Sequence, residues 1–488
     1  MTTPIFFTVA ILYILLMLGI SMAVRKTSVS SMRQYGKASN RFGTIVITLV
    51  CMGSWVGSGG LVGLSNSAYS SGIGVYWEYA MSYLALVPWM FLYLRRIKVL
   101  DVLTVPDFFA MRYSKHNEFI RYPATVGMLA RTSSVLAMQL SALAFLLSAF
   151  LGWSRPQGVI TAVIIVLAYT AISGFLSVLV TNTLQSILQT LAPFGLAIFT
   201  IYAAGGWGQV NTLYEAAGEA YKMSLFYGVD WYNDIIYYFI SIGLFFFIGD
   251  QADWQRVNAS SNAKTARNGF IFGTIVVLPL LVLPPLGGAV AKLILPEDVN
   301  PSHIYFEVLK LAPMPVAVLL LIGALATIMS TVSTYLFAGG TNISNDIIIK
   351  WKESHGQVLD DQKKIFWTRI GIAIHALVGI AFALWISGIL SLFMTGLVLA
   401  AAGLLVPYFF AWHSRWMNTE GAIAGMIVGI GLGFTWMVLG DPFGIDAVFV
   451  GIPANFITCV VVRLLTAPPT SEEVESTHYN SAKFKNEV

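Results

Sequence analysis

Hydrophobic runs long enough to cross a bilayer follow one another along almost the whole chain, at about 4 to 24, 43 to 71, 75 to 96, 119 to 151, 157 to 177, 182 to 204, 234 to 253, 268 to 292, 312 to 348, 366 to 386, 389 to 412, 420 to 439 and 445 to 466. A straight helical span needs roughly 20 apolar residues. The pattern therefore predicts an all-α polytopic membrane protein with about 13 transmembrane helices. The runs at 43 to 71, 119 to 151 and 312 to 348 are longer than a straight span requires, which predicts tilt, kinks or turns outside the bilayer.

Polar and small positions interrupt this pattern in three places. The second run reads "TIVITLVCMGSWVGSGGLVGLSNSAYSSGIG", with glycines at 53, 57, 59, 60 and 63. Each glycine weakens a helix, and small residues also serve close helix packing. The cluster as a whole predicts a helix broken around residues 53 to 58, which frees backbone carbonyls such as those of Gly53 and Val56. Non-helical backbone inside a membrane is tolerated only where it lines a site or is buried in protein.

In the ninth run, "LIGALATIMSTVSTYLFAGGTNISND", Thr327, Ser330, Thr331 and Thr334 fall at i, i+3, i+4 and i+7 and so share one helix face. A lone hydroxyl in a membrane helix usually bonds the carbonyl one turn back. Four on one face, with Ser333 beside them, exceed that explanation. Several neutral oxygens suit a hard cation such as sodium, and the broken helix and this face together could supply them.

Ionisable residues inside spans form the third group: Glu78 in "VYWEYAMSYL", Arg131 in "GMLARTSSVLAMQL" and Asp250 in "FFFIGDQADWQR". Each is a candidate for function because burial of charge in a membrane is costly. The structural alternatives are a solvated span end for Glu78, snorkelling or a structural ion pair for Arg131, and the start of a cytoplasmic loop with Asp253 and Arg256 for Asp250. Trp55 and Tyr79 could be packing aromatics or platforms for a cationic solute.

Composition agrees with this reading. The 488 residues are 57% hydrophobic and 11% charged, more apolar surface than a soluble domain could bury. With the N-terminus outside, the cytoplasmic loops collect Arg25, Lys26, Arg33, Lys37, Arg41, Arg95, Arg96, Lys98, Arg112, Lys115, Arg121, Arg256, Lys264, Arg267, Lys350, Lys352, Lys363, Lys364 and Arg369, and the other side chiefly Arg155, Lys222, Lys292 and Lys310. The formal charge of +4 is thus a matter of topology and requires no nucleic-acid partner. Arg25 and Lys26 follow the first run, so it reads as a transmembrane helix, not a cleaved signal peptide. Cys51 and Cys459 have no metal-ligand spacing and form no disulfide framework. No Ser-His, metal-ligand or paired-carboxylate constellation lies inside the membrane, and His375, alone in an apolar run, reads as packing. An enzyme is not expected, nor a cofactor.

The chain resembles the sodium:solute symporter family, which contains the sodium-coupled sugar, proline, sialic acid, pantothenate and choline transporters. The resemblance rests on "NRFGTIVITLVCMGSWVGSGG", "YTAISGFLSVLVTNTLQSIL", "ADWQRVNASSNAKTAR" and "ALATIMSTVST". It implies a LeuT-type core of two inverted five-helix repeats, at about 43 to 204 and 234 to 412, with alternating access around a midplane site. Flanking these are an extra helix and loop (1 to 42), an extracellular loop (205 to 233), two further helices (413 to 466) and a polar, disordered cytoplasmic tail (467 to 488).

The resemblance also implies a site. Sodium would be held by the backbone carbonyls of Gly53, Val56 and Thr327 and the hydroxyls of Ser330 and Thr331. A second sodium site of some members matches Asn182, Ser333 and Thr334, with Asn182 standing where those members have aspartate, which predicts one sodium per cycle. Candidate substrate contacts are Trp55, Ser58, Glu78, Arg131, Gln139 and Asp250. The acidic and aromatic groups favour a cationic or polyol solute and the arginine a carboxylate, and a zwitterion satisfies both. The expectation is a monomeric or weakly oligomeric protein of the plasma (inner) membrane, in contact with membrane lipid, that carries a small polar organic solute into the cell with sodium. The alternatives are proton coupling through Asp250 or Glu78, and a ligand sensor or channel on the same scaffold.

Overall fold

Two interior backbone breaks and two clasps at opposite ends organise the computed structural model, which describes residues 3–226, 231–386, 388–478 and 484. The regular elements among them are helices: α1 (Thr3–Ser28), α2 (Thr44–Ser71), α3 (Tyr76–Leu92), α4 (Arg121–Leu151), α5 (Arg155–Ala168), α6 (Gly174–Ala203), α7 (231–246), α8 (Gln251–Ala259), α9 (Ala263–Ala291), α10 (Met314–Ser354), α11 (Asp361–Trp385), α12 (Ile389–His413), α13 (Thr419–Val438), α14 (Val448–Leu465) and α15 (Ser471–Glu475). Ten of these are long and apolar enough to cross a membrane. The remaining three predicted spans fall on the shorter α3, on α5, and on α7 with α8.

Burial separates the interior helices from the periphery. The apolar windows of α2 and α10 are 78% buried and that of α12 83%, against 22% for α1 and α14. α2 packs against α6, α9 and α10, and α4 against α10, α11 and α12. The outer helices turn bare Leu, Ile and Phe side chains such as Leu12, Leu15, Ile457 and Leu464 outward, as lipid requires.

Three sequence expectations need correction. The boundary between the fifth and sixth spans, expected at 178 to 181, lies at Gly174, where φ is 64° and ψ −165° inside an otherwise continuous helix from Arg155 to Gln189. Residues 178 to 181 contain no glycine or proline, and the one position free to adopt this conformation makes the turn. The run at 234 to 253 is not one helix: α7 stops at Phe246, and Asp250, with extended backbone (ψ 152°), begins a new helix, α8, all nine of whose residues are buried. The tail is not disordered throughout. A capping box between Thr470 and Glu473 starts α15, Ser476 Oγ and Thr477 Oγ1 donate to the carbonyls of Met111 (3.0 Å) and Ala411 (3.1 Å), and the Phe484 ring meets Trp412. Its remaining residues, 479–483 and 485–488, lie outside the described set.

The two clasps are built from charge. At one end Arg121, at the start of α4, bonds Asp107, Glu118 (2.5 Å) and Asp346 of α10 (3.0 Å). Thr104 Oγ1 donates to the same Asp346 carboxylate at 2.7 Å. At the other end Glu219 receives Lys222 (2.7 Å) and Lys292 (2.8 Å), and the hydrogen bonds from these two ammonium groups hold its carboxyl down at about 2.

Gly174→Ala tests the turn. A methyl group there would stand 2.5 Å from the Tyr35 ring, in a conformation essentially reserved for glycine. Gly152 also has positive φ but open space around it, so Gly152→Ala carries only the left-handed penalty of about 1–2 kcal/mol. The fall in melting temperature of the purified protein should be clearly larger for Gly174→Ala, and equal falls would contradict the steric account.

Candidate functional site

Gly57 breaks α2 with φ 48° and ψ −174°. A side chain there would also crowd Gln139 Nε2 at 3.0 Å and Thr331 Oγ1 at 3.3 Å. The break removes the ordinary acceptor role of the carbonyls one turn earlier, and a buried carbonyl without a partner costs about 1–3 kcal/mol. Side chains take them up one by one. Met52 O accepts from Gln189 Nε2 (2.8 Å), Gly53 O from Ser330 Oγ (2.7 Å), Ser54 O from Thr331 Oγ1 (3.4 Å) and Trp55 O from the Tyr83 hydroxyl. The Val56 carbonyl accepts from the Gly59 N–H. Beyond the break, the Ser58 N–H donates to Gln139 Oε1 (2.8 Å).

The hydroxyl face of α10 supplies two of those donors, and all its members are buried. Thr327 Oγ1 bonds its own helix, to Gly323 O at 2.7 Å, the ordinary role of a membrane threonine. Its carbonyl, however, faces Ser330 Oγ and Thr331 Oγ1, each at 3.1 Å. Gly53 O, Thr327 O and the hydroxyls of Ser330 and Thr331 thus converge between α2 and α10. One turn on, Asn182 of α6 donates through Nδ2 to Thr334 Oγ1 (2.7 Å) and accepts from Ser333 Oγ at 3.3 Å. The amide answers both hydroxyls with neutral groups.

The second break brings charge to the same region. Asp250 Oδ2 receives Arg131 Nε (3.0 Å) and the Tyr335 hydroxyl (2.8 Å). The guanidinium lies against Phe245, Phe246, Tyr335 and Phe393, the last centred 4.9 Å away. Arg131 Nη1, Asp250 Oδ1 and Gln139 Nε2 are buried without hydrogen-bond partners. Three residues further on, in α8, Asp253 pairs with Arg256 and accepts from Trp55 Nε1 at 3.2 Å, while Arg256 also reaches Ser54 Oγ. All four charged side chains are at most 2% exposed. Their charges cancel in pairs, which buried charge requires.

Of the sequence candidates, Gly53, Thr327, Ser330 and Thr331 meet directly, Asn182, Ser333 and Thr334 form the adjoining cluster, and Trp55, Ser58, Gln139, Arg131 and Asp250 surround the break. Glu78 stands apart. It lines a cavity of about 370 Å³ with Tyr237, Asp441, Asp446 and Phe393. The Phe393 ring stacks on Tyr79 at 4.8 Å and separates this cavity from Arg131. The reading of Asp250 as the start of a solvated loop fails, because its helix is wholly buried. His375 is packed, its ring bonded to Ser133 Oγ (3.1 Å) and Leu336 O (3.3 Å).

Sequence reasoning missed Tyr335, Gln189, Tyr83 and the Asp253–Arg256 pair as parts of the site. Tyr335 could have been found: it lies four residues beyond Thr331 and continues the hydroxyl face. The opposite charges of Asp253 and Arg256 at i, i+3 were a second signal. Gln189 and Tyr83 come from other helices and carried none.

The sodium:solute symporter family model matches residues 35–429. The human sodium/myo-inositol cotransporter is 23% identical over 97% of this chain and 75% of its own length. The Haemophilus influenzae sodium/pantothenate symporter is 25% identical over 84% of this chain and 85% of its own. A Staphylococcus aureus sodium/proline symporter is 23% identical over 91% of this chain and 89% of its own. Among solved structures, the substrate-bound outward-open state of a Na+-coupled sialic acid symporter superposes with a TM-score of 0.78, at 16% identity, over 96% of this chain and 98% of that one. A nucleobase-cation-symport-1 family transporter in a closed conformation gives 0.60 at 13% identity, over 91% and 97%. These neighbours share the LeuT fold. These relatives and neighbours do not favour the proton alternative, and of its two candidate carriers, Asp250 and Glu78, Asp250 is held by Arg131 and Tyr335. This chain belongs to the sodium:solute symporter family, a multi-pass membrane transporter that couples the symport of a small solute to sodium.

Proposed function

We propose that the coupling ion binds between the break in α2 and the hydroxyl face of α10, on the carbonyls of Gly53, Val56 and Thr327 and the hydroxyls of Ser330 and Thr331. The observation that carries this reading is the 2.7 Å contact of Ser330 Oγ with the Gly53 carbonyl, a helix-to-helix bond made at a break. A hydroxyl has two lone pairs beside its proton, so the same oxygens can turn toward a cation. One sodium moves per cycle, because Asn182 meets Ser333 and Thr334 with a neutral amide. One charge carried inward gains about 2.3 kcal/mol per 100 mV, which at about 1.4 kcal/mol per tenfold concentrates a neutral solute about 50-fold.

The solute binds among Trp55, Ser58, Gln139, Arg131 and Asp250. Because the buried charges there already cancel, a solute of zero net charge, a zwitterion or a polyol, enters without leaving an uncompensated ion. Arg131 Nη1 and Gln139 Nε2 offer donors, and Asp250 Oδ1 an acceptor. Segments 43 to 204 and 234 to 412 act as the two inverted repeats that rock about this centre. The protein works as a monomer or weak oligomer in the plasma (inner) membrane, N-terminus outside and C-terminus in the cytoplasm.

Two experiments test this reading. In thermal-shift titrations of the purified protein with a panel of neutral metabolites, in sodium or potassium, one solute should stabilise only in sodium. Ser330→Ala should abolish that sodium dependence while the protein stays folded, and a solute shift indifferent to sodium would overturn the ion site. In the second, Asp250→Leu and Arg131→Met should each destabilise by about 3–5 kcal/mol, because each strands a buried charge. The double variant Arg131→Met/Asp250→Leu should recover much of that loss. Strictly additive effects would mean that the pair is not coupled.

A further inference from the structure

A cavity of about 720 Å³ opens where α3 ends and α9 begins, lined by Arg95, Arg96, Lys98, Lys264 and Arg267 and by no carboxylate. Arg95, Lys264 and Arg267 enter no ion pair among the described residues. Lys98 Nζ finds only neutral acceptors, Asn40 Oδ1 (2.9 Å) and the carbonyls of Asn258 (2.8 Å) and Ser260 (2.6 Å). Burial first, then Lys37 and Arg33, pull its pKa down to about 8 against the opposing Asp101. The first turn of α9 is also here and contains no acid, so the positive end of that helix adds to the field. Two other cavities with basic linings also carry carboxylates, Glu118 and Glu353 beside Arg121 and Asp101 beside Lys37. The lining here carries five basic side chains and no acid.

Its location says what answers it. The cations begin within a turn of the last apolar residues of α3, and Phe91 at the rim is 59% exposed. Along α9, Ile275 is 59% exposed and stands eight residues beyond Arg267, about 12 Å at 1.5 Å per residue. A concave cationic floor at the end of two spans, continued by bare apolar side chains, matches a phosphate diester with its acyl chains attached.

We propose that this cavity binds the headgroup of an anionic phospholipid, with Arg95, Lys264 and Arg267 holding the phosphate and the chains lying along α3 and α9. The test is the melting temperature of the detergent-purified full-length chain titrated with phosphatidylglycerol, phosphatidylcholine or inorganic phosphate. Phosphatidylglycerol should stabilise at concentrations at least about tenfold below phosphatidylcholine, since each basic group near such a headgroup contributes about fivefold. Arg95→Gln/Lys264→Gln/Arg267→Gln should remove that preference, and Lys350→Gln/Lys352→Gln/Lys363→Gln should keep it. If the first triple variant does not fold, Lys264→Gln alone should raise the half-saturating phosphatidylglycerol concentration about fivefold. Retained preference after neutralising the cavity, or equal loss in the second triple variant, would overturn the site. Stabilisation by inorganic phosphate at comparable concentrations would make it a free-anion site and overturn the lipid assignment.

Discussion

A backbone carbonyl released inside a membrane-spanning bundle has no water to turn to, and the interior of this protein is arranged around that constraint. Gly57 interrupts α2, and each of the five carbonyls just before it, Met52 to Val56, accepts a hydrogen bond from a side chain or from the Gly59 N–H. Four of them are met by side chains from three other helices: Gln189 of α6, Ser330 and Thr331 of α10, and Tyr83 of α3. The break is therefore also a joint, through which α2, α3, α6 and α10 are held by polar bonds as well as by packing. A sodium ion proposed at this joint would exchange one set of oxygen contacts for another. Its binding would bear on the mutual position of α2 and α10, the physical requirement for coupling ion occupancy to conformation.

Charge follows the same rule at greater cost. Burying an ion without compensation costs several kcal/mol, and the ions around the breaks come as Arg131 with Asp250 and Arg256 with Asp253, while the buried Arg112 donates to the carbonyls of Ser414 and Met417. Both acids sit at or just beyond the break between α7 and α8. Their arginine partners come from α4 and from α8 itself. The pairs leave Arg131 Nη1, Asp250 Oδ1 and Asp253 Oδ2 without partners. Buried polar atoms in that state are uncommon in folded proteins and concentrate where a ligand or water completes the set. Arg121 and Glu219, at opposite ends, each gather several opposite charges. The cavity beside Arg95 and Arg267 has no such internal answer, and the proposed phospholipid headgroup would supply it.

The sequence alone was enough to determine an all-helical membrane protein with some thirteen spans, a glycine-broken second helix and an oxygen-rich face on the ninth. Each of these is a property of a single segment: apolar length, glycine density, or hydroxyls at i, i+3, i+4 and i+7. Its motifs also carried the family resemblance. Helix limits failed where one residue outweighed the pattern: Gly174 turns the chain in mid-run, and Asp250 starts a helix inside an apolar stretch. What only the tertiary structure decided was partnership. It determined that Asn182 faces Ser333 and Thr334, that Arg131 answers Asp250, that Trp55 bonds Asp253, and that Glu78 lies beyond Phe393. These contacts join residues up to roughly 200 positions apart, and helical periodicity specifies which face a side chain occupies but not which helix will be packed against it.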